Sequence, residues 1–321
     1  MKVGIIGAGG IAGEHKRGYD RLADVELVGV ADVSPASREK AANVWKTAAY
    51  ETVEELLDGA KPDAVSVCTP PKYHADVAVA CLERGVAVLC EKPMARNVEE
   101  AERIAAAAEK ASVPFMAAFC HRYHPPVMKV KEAIDAGKLG EVKMYRNRFG
   151  GRQDMTKTWF GDPEVAGGGT LMDTSVHSVD LFRFLVGDAT WITGAVADIA
   201  GIYRLEDSCI VTFGTASGAI GVIEGSWSTP GSANIIEVYG TEGAATVNYN
   251  NGETLLMVKG STEWEKIVTE GPDRFEREVE AFINAVKTKT PAPITAQDGL
   301  AANRIIAAAY KSSKEGVRVN L

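Results

Sequence analysis

The chain has 321 residues, of which 46% are hydrophobic and 24% are charged. This composition is typical of a soluble globular protein, and the length exceeds the usual size of one hydrophobic core, so we expect two domains. The 43 acidic and 35 basic residues give a net charge of -8, which argues against nucleic acid or an anionic membrane as the main partner and favours a small molecule. Because Met1 leads straight into the first predicted strand and no apolar run is long enough to span a bilayer, we expect a cytoplasmic protein.

The cysteines are expected to be buried, reduced thiols. They lie mostly in apolar runs, are odd in number and form no C-x-x-C pair, which argues against a disulfide framework and against structural zinc. The sequence therefore predicts no metal site. The five cysteines are Cys68, Cys81, Cys90, Cys120 and Cys209.

A short apolar strand near the amino terminus breaks into a glycine turn and then a helix. In a dinucleotide-binding turn Gly7 makes the tight bend, Gly9 lets the backbone approach a pyrophosphate, and Ala12 is the small residue where the helix packs against the strand. The free N–H groups and partial positive charge at the start of the helix favour phosphate. The predicted cofactor contacts in this turn are Gly7, Gly9, Gly10, Ile11 and Ala12.

Asp32 stands at the carboxyl end of the second predicted strand, where dinucleotide-binding folds hold a pair of ribose hydroxyls. Its charge would repel the 2′-phosphate of NADP, so we expect NAD to be preferred and NADP to remain possible. Arg38, in the following predicted helix, is the reservation, because an arginine there can reach a phosphate.

Strands and helices alternate from residue 1 to about residue 120. Short, nearly unbroken apolar strands alternating with helices are typical of a parallel sheet covered on both faces, so we predict a doubly wound α/β domain over residues 1–121. Ligands bind at the carboxyl edge of such a sheet. The residues expected to contact the cofactor at this edge are Thr69, Pro70, His74, Glu91 and Lys92.

Glu91-Lys92-Pro93 follows one of these strands. A lysine at that position can donate a hydrogen bond to a substrate oxygen or stabilise a developing alkoxide, and the alternative is a solvated loop lysine. Pro93 restricts Lys92 to extended backbone conformations, and the sequence leaves open whether the bond between them is cis.

The pattern changes after residue 121, where strands dominate. We predict an α+β domain over residues 122–321 built on an open, mostly antiparallel sheet, because close turns such as 240–243 and 250–252 join the later strands as hairpins require. Its strands are predicted over 141–149, 191–200, 208–213, 219–227, 234–239, 244–249 and 254–259. One helix is embedded over residues 171–185, and two helices with a short strand close the chain.

Three consecutive glycines, residues 167–169, open the embedded helix. At helical spacing Asp173, His177 and Asp180 share one face, and a carboxylate one turn from an imidazole can orient it. His177 is therefore a candidate general acid or base near neutral pH, the alternative being a structural histidine. The polar face interrupts an otherwise apolar helix, which favours a functional site.

Other polar residues are candidates for ligand contact with less support. His15 and His74 lie near the starts of helices that flank the expected cofactor, where packing explains them equally well, and His121 and His124 lie at the crossover between the halves. The predicted substrate contacts are Arg122, Tyr123, Arg152, Asp154 and Trp159.

Together these motifs resemble the Gfo/Idh/MocA oxidoreductases over nearly the whole chain. The resemblance rests on the glycine turn, Glu91-Lys92-Pro93, the run from Trp159 to Asp180 and the spacing Asp298…Ser312…Gly316…Val319. It implies a Rossmann domain followed by an open-sheet domain, a nicotinamide cofactor, and carbohydrate or cyclitol substrates. It also implies that Lys92, Asp173 and His177 are the catalytic residues.

We therefore expect an NAD(P)-dependent dehydrogenase or reductase acting on a secondary alcohol or ketone of a sugar, polyol or cyclitol. His177 would accept the hydroxyl proton, Lys92 would steady the oxygen, and Asp173 would orient or share charge with them, although the first two roles can be exchanged. One alternative is a glycosidase that uses tightly bound NAD for transient oxidation. The other is a non-enzymatic nucleotide-sensing protein, which has no need of these three residues together.

Association is expected as well. The second half supplies more strands than its few helices can cover, and an uncovered apolar sheet face usually packs against another surface. We predict a homodimer or homotetramer formed through that face, as the resemblance also implies. The predicted apolar positions on it are Trp227, Ile235, Tyr239 and Val247.

Overall fold

The computed structural model describes residues 1–321 and divides into two compact units. The first comprises Met1–Cys120 with Pro272–Ala301, and the second comprises His121–Gly271 with Ala302–Leu321. The first boundary falls within one residue of the expected position. The predicted assignment of all residues from 122 to 321 to the second domain is corrected, because Pro272–Ala301 belongs to the first unit.

Two sheets account for the fifteen strands. They are β1 (Lys2–Ile6), β2 (Glu26–Ala31), β3 (Ala48–Tyr50), β4 (Ala64–Val67), β5 (Ala87–Glu91), β6 (Phe115–Ala118), β7 (Val142–Gly150), β8 (Ala189–Ala197), β9 (Ser208–Thr215), β10 (Ile220–Ser226), β11 (Ile235–Gly240), β12 (Ala244–Asn248), β13 (Glu253–Met257), β14 (Glu265–Ile267) and β15 (Val319–Asn320). The strands β3 and β14 were not predicted, since three residues are too few to show a periodic pattern.

The α-helices are eleven in number. They are α1 (Gly10–Asp20), α2 (Pro35–Trp45), α3 (Val53–Ala60), α4 (His74–Glu83), α5 (Val98–Lys110), α6 (Pro125–Asp135), α7 (Pro163–Ala166), α8 (Thr170–Asp173), α9 (Ser175–Leu185), α10 (Arg274–Thr288) and α11 (Ala296–Glu315). None of them combines the length and apolar character needed to cross a membrane.

The first sheet is six-stranded and parallel, in the order β3-β2-β1-β4-β5-β6, which confirms the doubly wound prediction. Its helices begin where the sequence places capping residues. The side chains of Ser34, Thr52 and Asn97 each accept a hydrogen bond from the backbone N–H three residues later, which satisfies a donor that the helix itself leaves free.

The late segment of the first unit packs onto its first helix. A Cβ added to Gly18 in α1 would lie 2.8 Å from Val279 in α10, so the two helices touch through a glycine. Val279, Phe282 and Ile283 are fully buried. The amphipathic α10 therefore completes the core of the first unit rather than that of the second.

The second sheet has nine strands in the order β14-β13-β12-β11-β7-β10-β9-β8-β15, and only β7 and β10 pair in parallel. The predicted open, mostly antiparallel sheet is thus confirmed. The helix α9 covers one face, because a Cβ on Gly221 would meet Phe182 and a Cβ on Gly225 would meet Ser175.

The opposite face of this sheet, which we call the outer face, carries half-exposed apolar residues. Met144, Ile220 and Tyr239 lie opposite one another on adjacent strands and are 47%, 48% and 36% exposed. Trp227 and Val247 were predicted to join them, but both are 1% exposed. Because successive strand residues point to opposite faces, assigning the wrong parity moves a residue from one face to the other.

The predicted embedded helix is divided. Its first turn is α8, and α9 starts after Thr174, with the additional short helix α7 ahead of the three glycines. Asp173 consequently ends one helix while His177 lies in the first turn of the next. Their proposed arrangement on one face of a single helix is corrected to two adjoining helices.

Candidate functional site

The glycine turn of the first unit has the shape required to receive a dinucleotide. Gly7 has a φ of +93°, and a Cβ there would lie 2.7 Å from the backbone of Cys68, which only glycine avoids. Gly9 and Gly10 are exposed and have open space in front of them. Because no side chain caps α1, its first N–H groups are free to bind an anion.

Two further features of the first unit fit the same ligand. Ala12 is fully buried where α1 meets the sheet, as predicted for the third small position. The hydroxyl oxygen of Thr69, at the carboxyl edge after β4, is buried and has no hydrogen-bond partner within the protein. A buried hydroxyl beside an uncapped helix is suited to a bound polar group. The residues of the first unit therefore fit NAD.

Asp32 stabilises the glycine turn and the residues after β2 through hydrogen bonds to the backbone. Its two carboxylate oxygens accept hydrogen bonds from the backbone N–H groups of Ala8, at 2.7 Å, and Ser34, at 2.8 Å. The guanidinium of Arg38 donates to the carbonyl oxygen of Asp32 at 2.7 Å. The acid and the arginine that are predicted to influence the choice between NAD and NADP are thus adjacent.

The Glu91-Lys92-Pro93 segment follows β5, and the bond between Lys92 and Pro93 is cis. The ring nitrogens of His74 lie 2.9 Å from the carbonyl oxygen of Pro93 and 2.7 Å from that of Thr69. Burial lowers the pKa of His74, although these carbonyl groups oppose the shift. The ring therefore bridges two loops, and its predicted contact with the cofactor stays a prediction.

Glu91 is also turned into the protein. Its side chain is buried, and its carboxylate oxygens contact the His15 ring, at 2.9 Å, and the Lys92 backbone N–H, at 3.0 Å. Burial alone would raise the pKa of Glu91, but the His15 ring and Lys92 together more than offset this, so the pKa is lowered. Glu91 thus binds its own loop, and its predicted contact with the cofactor stays a prediction.

In the second unit, a carboxylate and an imidazole lie where α8 passes into α9. Asp173 is 9% exposed and His177 is 8% exposed. The Thr174 hydroxyl donates to the Asp173 carboxylate at 3.2 Å and accepts from the Trp227 indole at 3.1 Å. Asp173 is therefore oriented by a chain of hydrogen bonds before any ligand arrives.

His177 and His121 belong to a cluster of aromatic rings. The two imidazole rings are 4.3 Å apart between centroids, and the Nδ1 atom of His121 lies 3.1 Å from the Tyr249 hydroxyl. Phe149 packs on His121, and His124 stacks on Tyr249 at 4.4 Å. Among these, Tyr249 was missed, because it lies 128 residues from His121 and no local motif marks it.

The predicted substrate residues have different environments. Arg122 is ion-paired with Asp180, and Tyr123 is half-buried beside it in the chain. Arg152 and Asp154 are exposed, and the Asp154 carboxylate accepts a hydrogen bond from the backbone N–H of Thr156 in the same loop. Trp159 is half-exposed and stacks on the next residue at 3.7 Å.

A half-buried carboxylate holds the glycine loop that precedes α8. Glu206 accepts from the backbone N–H groups of Gly169, at 3.0 Å, and Leu171, at 3.1 Å, and from the Tyr310 hydroxyl at 2.6 Å. A Cβ on Gly169 would lie 1.8 Å from the Glu206 carbonyl oxygen, so the loop requires glycine there. Glu206 and Tyr310 were not predicted, because their roles arise only from the fold.

Comparison with known proteins finds family matches in both units. Residues 1–119 match the oxidoreductase family with an NAD-binding Rossmann fold, and residues 127–246 match the GFO/IDH/MocA C-terminal domain. Inositol 2-dehydrogenase of Rhizobium meliloti (strain 1021) is 30% identical, with 100% of this chain and 99% of the relative covered. D-glucoside 3-dehydrogenase of Escherichia coli (strain K12) is 28% identical over 100% of this chain and 97% of its own.

A solved structure shares the fold. Levoglucosan dehydrogenase in complex with NADH and levoglucosan superposes with a TM-score of 0.95, and 100% of this chain and 99% of that chain are covered at 22% identity.

Proposed function

Because the chain belongs to the Gfo/Idh/MocA family of NAD-binding oxidoreductases, we propose that it transfers a hydride between NAD and a secondary alcohol or ketone of a sugar, polyol or cyclitol. The observation that carries this proposal is the buried carboxylate and imidazole of Asp173 and His177, in a chain whose other unit has a dinucleotide turn. The names of the relatives, which act on inositol and on a glucoside, support this substrate class.

The proposed catalytic residues are Lys92, Asp173 and His177. NAD held at the glycine turn would supply a nicotinamide ring that can accept or donate a hydride. His177 takes up the hydroxyl proton, since an imidazole exchanges protons near neutral pH. Lys92 donates a hydrogen bond to the substrate oxygen and stabilises the charge that develops there. Asp173, which is itself oriented by Thr174, orients His177 and Lys92 or shares charge with them.

Cofactor contacts are proposed for the glycine turn and the neighbouring edge of the first sheet. Gly7 and Gly9 shape the turn, the N–H groups of Gly10 and Ile11 face the phosphates, and Asp32 takes the ribose hydroxyls. Thr69 and Pro70 follow β4 at the same edge. We propose substrate contacts for Tyr123, Arg152, Asp154 and Trp159, with Arg122 acting through its ion pair.

A substrate screen tests the function. The purified protein is incubated with NAD or NADP and with inositols, aldoses, methyl glucosides and aryl glycosides, and reduced nicotinamide absorbance and aryl alcohol release are followed together. Reduced nicotinamide formed with a sugar or cyclitol supports the proposal. Aryl alcohol release without net reduction indicates the NAD-dependent glycosidase instead, and nucleotide binding with no turnover of any compound indicates a sensing protein.

We propose further that the chain forms a homo-oligomer through the outer face of the second sheet. There the apolar row of Met144, Ile220 and Tyr239 lies next to oppositely charged residues, with Arg146 2.9 Å from Glu224. A face that carries both signs of charge beside apolar residues can pair with its own copy about a twofold axis. A cytoplasmic location is proposed as well, since all five cysteines are buried thiols that suit a reducing compartment.

A further inference from the structure

A buried histidine lies behind the Glu91-Lys92-Pro93 segment of the first unit. His15 belongs to α1, the helix that begins at the glycine turn, and its side chain has no solvent exposure. Its Nε2 atom is 2.9 Å from Oε1 of Glu91, and Oε2 of Glu91 accepts the Lys92 backbone N–H at 3.0 Å. One carboxylate thus joins the α1 helix to the backbone of Lys92.

The other side of the imidazole is held too. Its Nδ1 atom lies 2.8 Å from the Ser66 hydroxyl in β4, which lies 2.7 Å from the Tyr19 hydroxyl in α1. Both ring nitrogens therefore have partners, and the ring cannot rotate without losing two contacts. Residues from one helix and two strands fix its position.

The protonation of this pair follows from its surroundings. Burial alone would lower the pKa of His15, but Cys68 and Glu91 raise it well above its ordinary value. Since the pKa of Glu91 is lowered, the carboxylate stays ionised and acts only as an acceptor. It then requires N–H donors on both oxygens, and His15 and Lys92 supply them.

The ion pair of His15 and Glu91 is not needed to hold β5 in the sheet. The strand β5 is already paired with β4 on one side as far as Cys90 and with β6 on the other as far as Glu91. Lys92 is the first residue beyond that ladder. A buried ion pair contributes little net stability, because desolvation offsets its attraction, so its value here lies in fixing the residue that follows the strand.

We propose that His15 is a positioning residue, which acts through the Glu91 carboxylate to fix the backbone of Lys92 relative to the helix that begins at the glycine turn. The inference rests on the proposed catalytic role of Lys92. It assigns to His15 no contact with substrate or cofactor.

Hydrogen–deuterium exchange of the intact protein tests the contact without any substrate. In Glu91→Ala and His15→Ala, the Lys92 amide should exchange about tenfold faster or more, since its acceptor is lost or freed to move. Glu91→Gln should retain protection, because its amide oxygen still accepts the Lys92 N–H while its NH2 group donates to Nε2 of a neutral His15 ring, which no longer faces a carboxylate. Glu14→Ala, on an exposed position of the same helix, is the matched control and should leave exchange unchanged.

Turnover, measured with the best compound from the substrate screen, tests the consequence. His15→Ala and Glu91→Ala should each lower kcat by about 10-fold to 100-fold, as the loss of a supporting contact does, while the NADH dissociation constant stays near that of the wild type. The double variant should be no slower than the slower single variant, since both act through one contact. Glu91→Gln should recover most of kcat.

Different variants would reveal an error in the catalytic role of Lys92 and an error in the positioning role of His15. If Lys92→Met retains wild-type kcat, the proposed catalytic role is wrong. If Lys92→Met is inactive but folded Glu91→Ala keeps wild-type kcat and Lys92 protection, the positioning role of His15 is wrong. Should His15→Ala not fold, the difference between Glu91→Ala and Glu91→Gln decides the question.

Discussion

Arg122 and Asp180 form a bidentate ion pair, with Nη2 of the guanidinium 2.6 Å from Oδ1 and Nε 2.9 Å from Oδ2 of the carboxylate. The side chains are 11% and 1% exposed. Two parallel N–H donors fix the plane of the guanidinium. This pair anchors the residues that follow β6 to the middle of α9.

Breaking the pair should destabilise the protein. Asp180→Ala leaves a guanidinium buried without its partner, and we expect the free energy of unfolding to fall by about 3–5 kcal/mol. The double variant Arg122→Met with Asp180→Leu should recover most of that loss. Urea unfolding measures both, with Lys129→Met in an exposed pair as the control, expected to change stability by less than about 1 kcal/mol. An Asp180→Ala variant as stable as this control would contradict the prediction.

Cofactor preference depends on Asp32 and its neighbour. Because the carboxylate repels a 2′-phosphate while Arg38 lies beside it, Asp32→Ala should raise kcat/KM for NADP relative to NAD by about tenfold or more, a change of about 1.4 kcal/mol or more. Asp58→Ala, an exposed acid of the same unit, is the control. An unchanged ratio in Asp32→Ala, or a wild type that prefers NADP, would show that Asp32 does not set the preference.

Removal of the proton acceptor should slow the reaction without weakening cofactor binding. His177→Asn should lower kcat by a factor on the order of 10²–10⁴, because the proposed acceptor of the hydroxyl proton is lost. Asp173→Asn should lower kcat and change the pH–rate profile, since it removes a buried charge four residues from His177 in the sequence. NADH fluorescence should report binding near that of the wild type in both. Near-normal turnover of His177→Asn at every pH would exclude it as the base.

Stability should depend on pH through Glu206. Burial raises the pKa of this carboxyl, although Tyr310 and two backbone N–H groups oppose the shift. The folded state therefore holds the proton more tightly than the unfolded state. The stability gained is complete below the unfolded pKa and is lost as pH rises through the folded pKa.

Glu206→Gln should remove this loss while keeping the contacts of the glycine loop, because all three donors bind one oxygen, Oε1. Thermal unfolding at mildly acidic and mildly alkaline pH measures it. The midpoint of the variant should fall less between the two pH values than that of the wild type. Equal falls in both proteins would mean that Glu206 does not titrate across this range.

Association should be sensitive to charge on the outer face. Ile210 lies opposite Glu224 in β10 and is 54% exposed. Ile210→Glu adds a charge to the proposed interface and should yield monomers by light scattering at micromolar concentration, since burying an unpaired charge is costly. Val33→Glu is the control, because it makes the same apolar-to-charged change on the exposed surface of the first unit. It should leave the oligomer intact. A monomeric wild type would exclude the interface.

Local chemistry made much of the first unit predictable. The glycine turn and the capping residues Ser34, Thr52 and Asn97 act on atoms a few residues away, so their effect is visible in the sequence. Alternation of apolar strands with helices then indicates the parallel sheet.

What could not be predicted depends on distant partners. Glu206 meets Tyr310 across 104 residues, and the His15 ring meets Glu91 across 76. The break after α8 was missed because helix propensity runs on through Thr174, whose hydroxyl binds the indole of Trp227. Tertiary contacts of this kind override local preference.

Because α10 packs on α1 in the first unit, that unit can be completed only after residues 274–288 have been synthesised. Residues 1–120 leave the ribosome first, yet the surface of α1 at Gly18 stays uncovered until Val279 has emerged. A nascent chain therefore carries an unfinished nucleotide-binding unit while strands β7 to β14 are still being made.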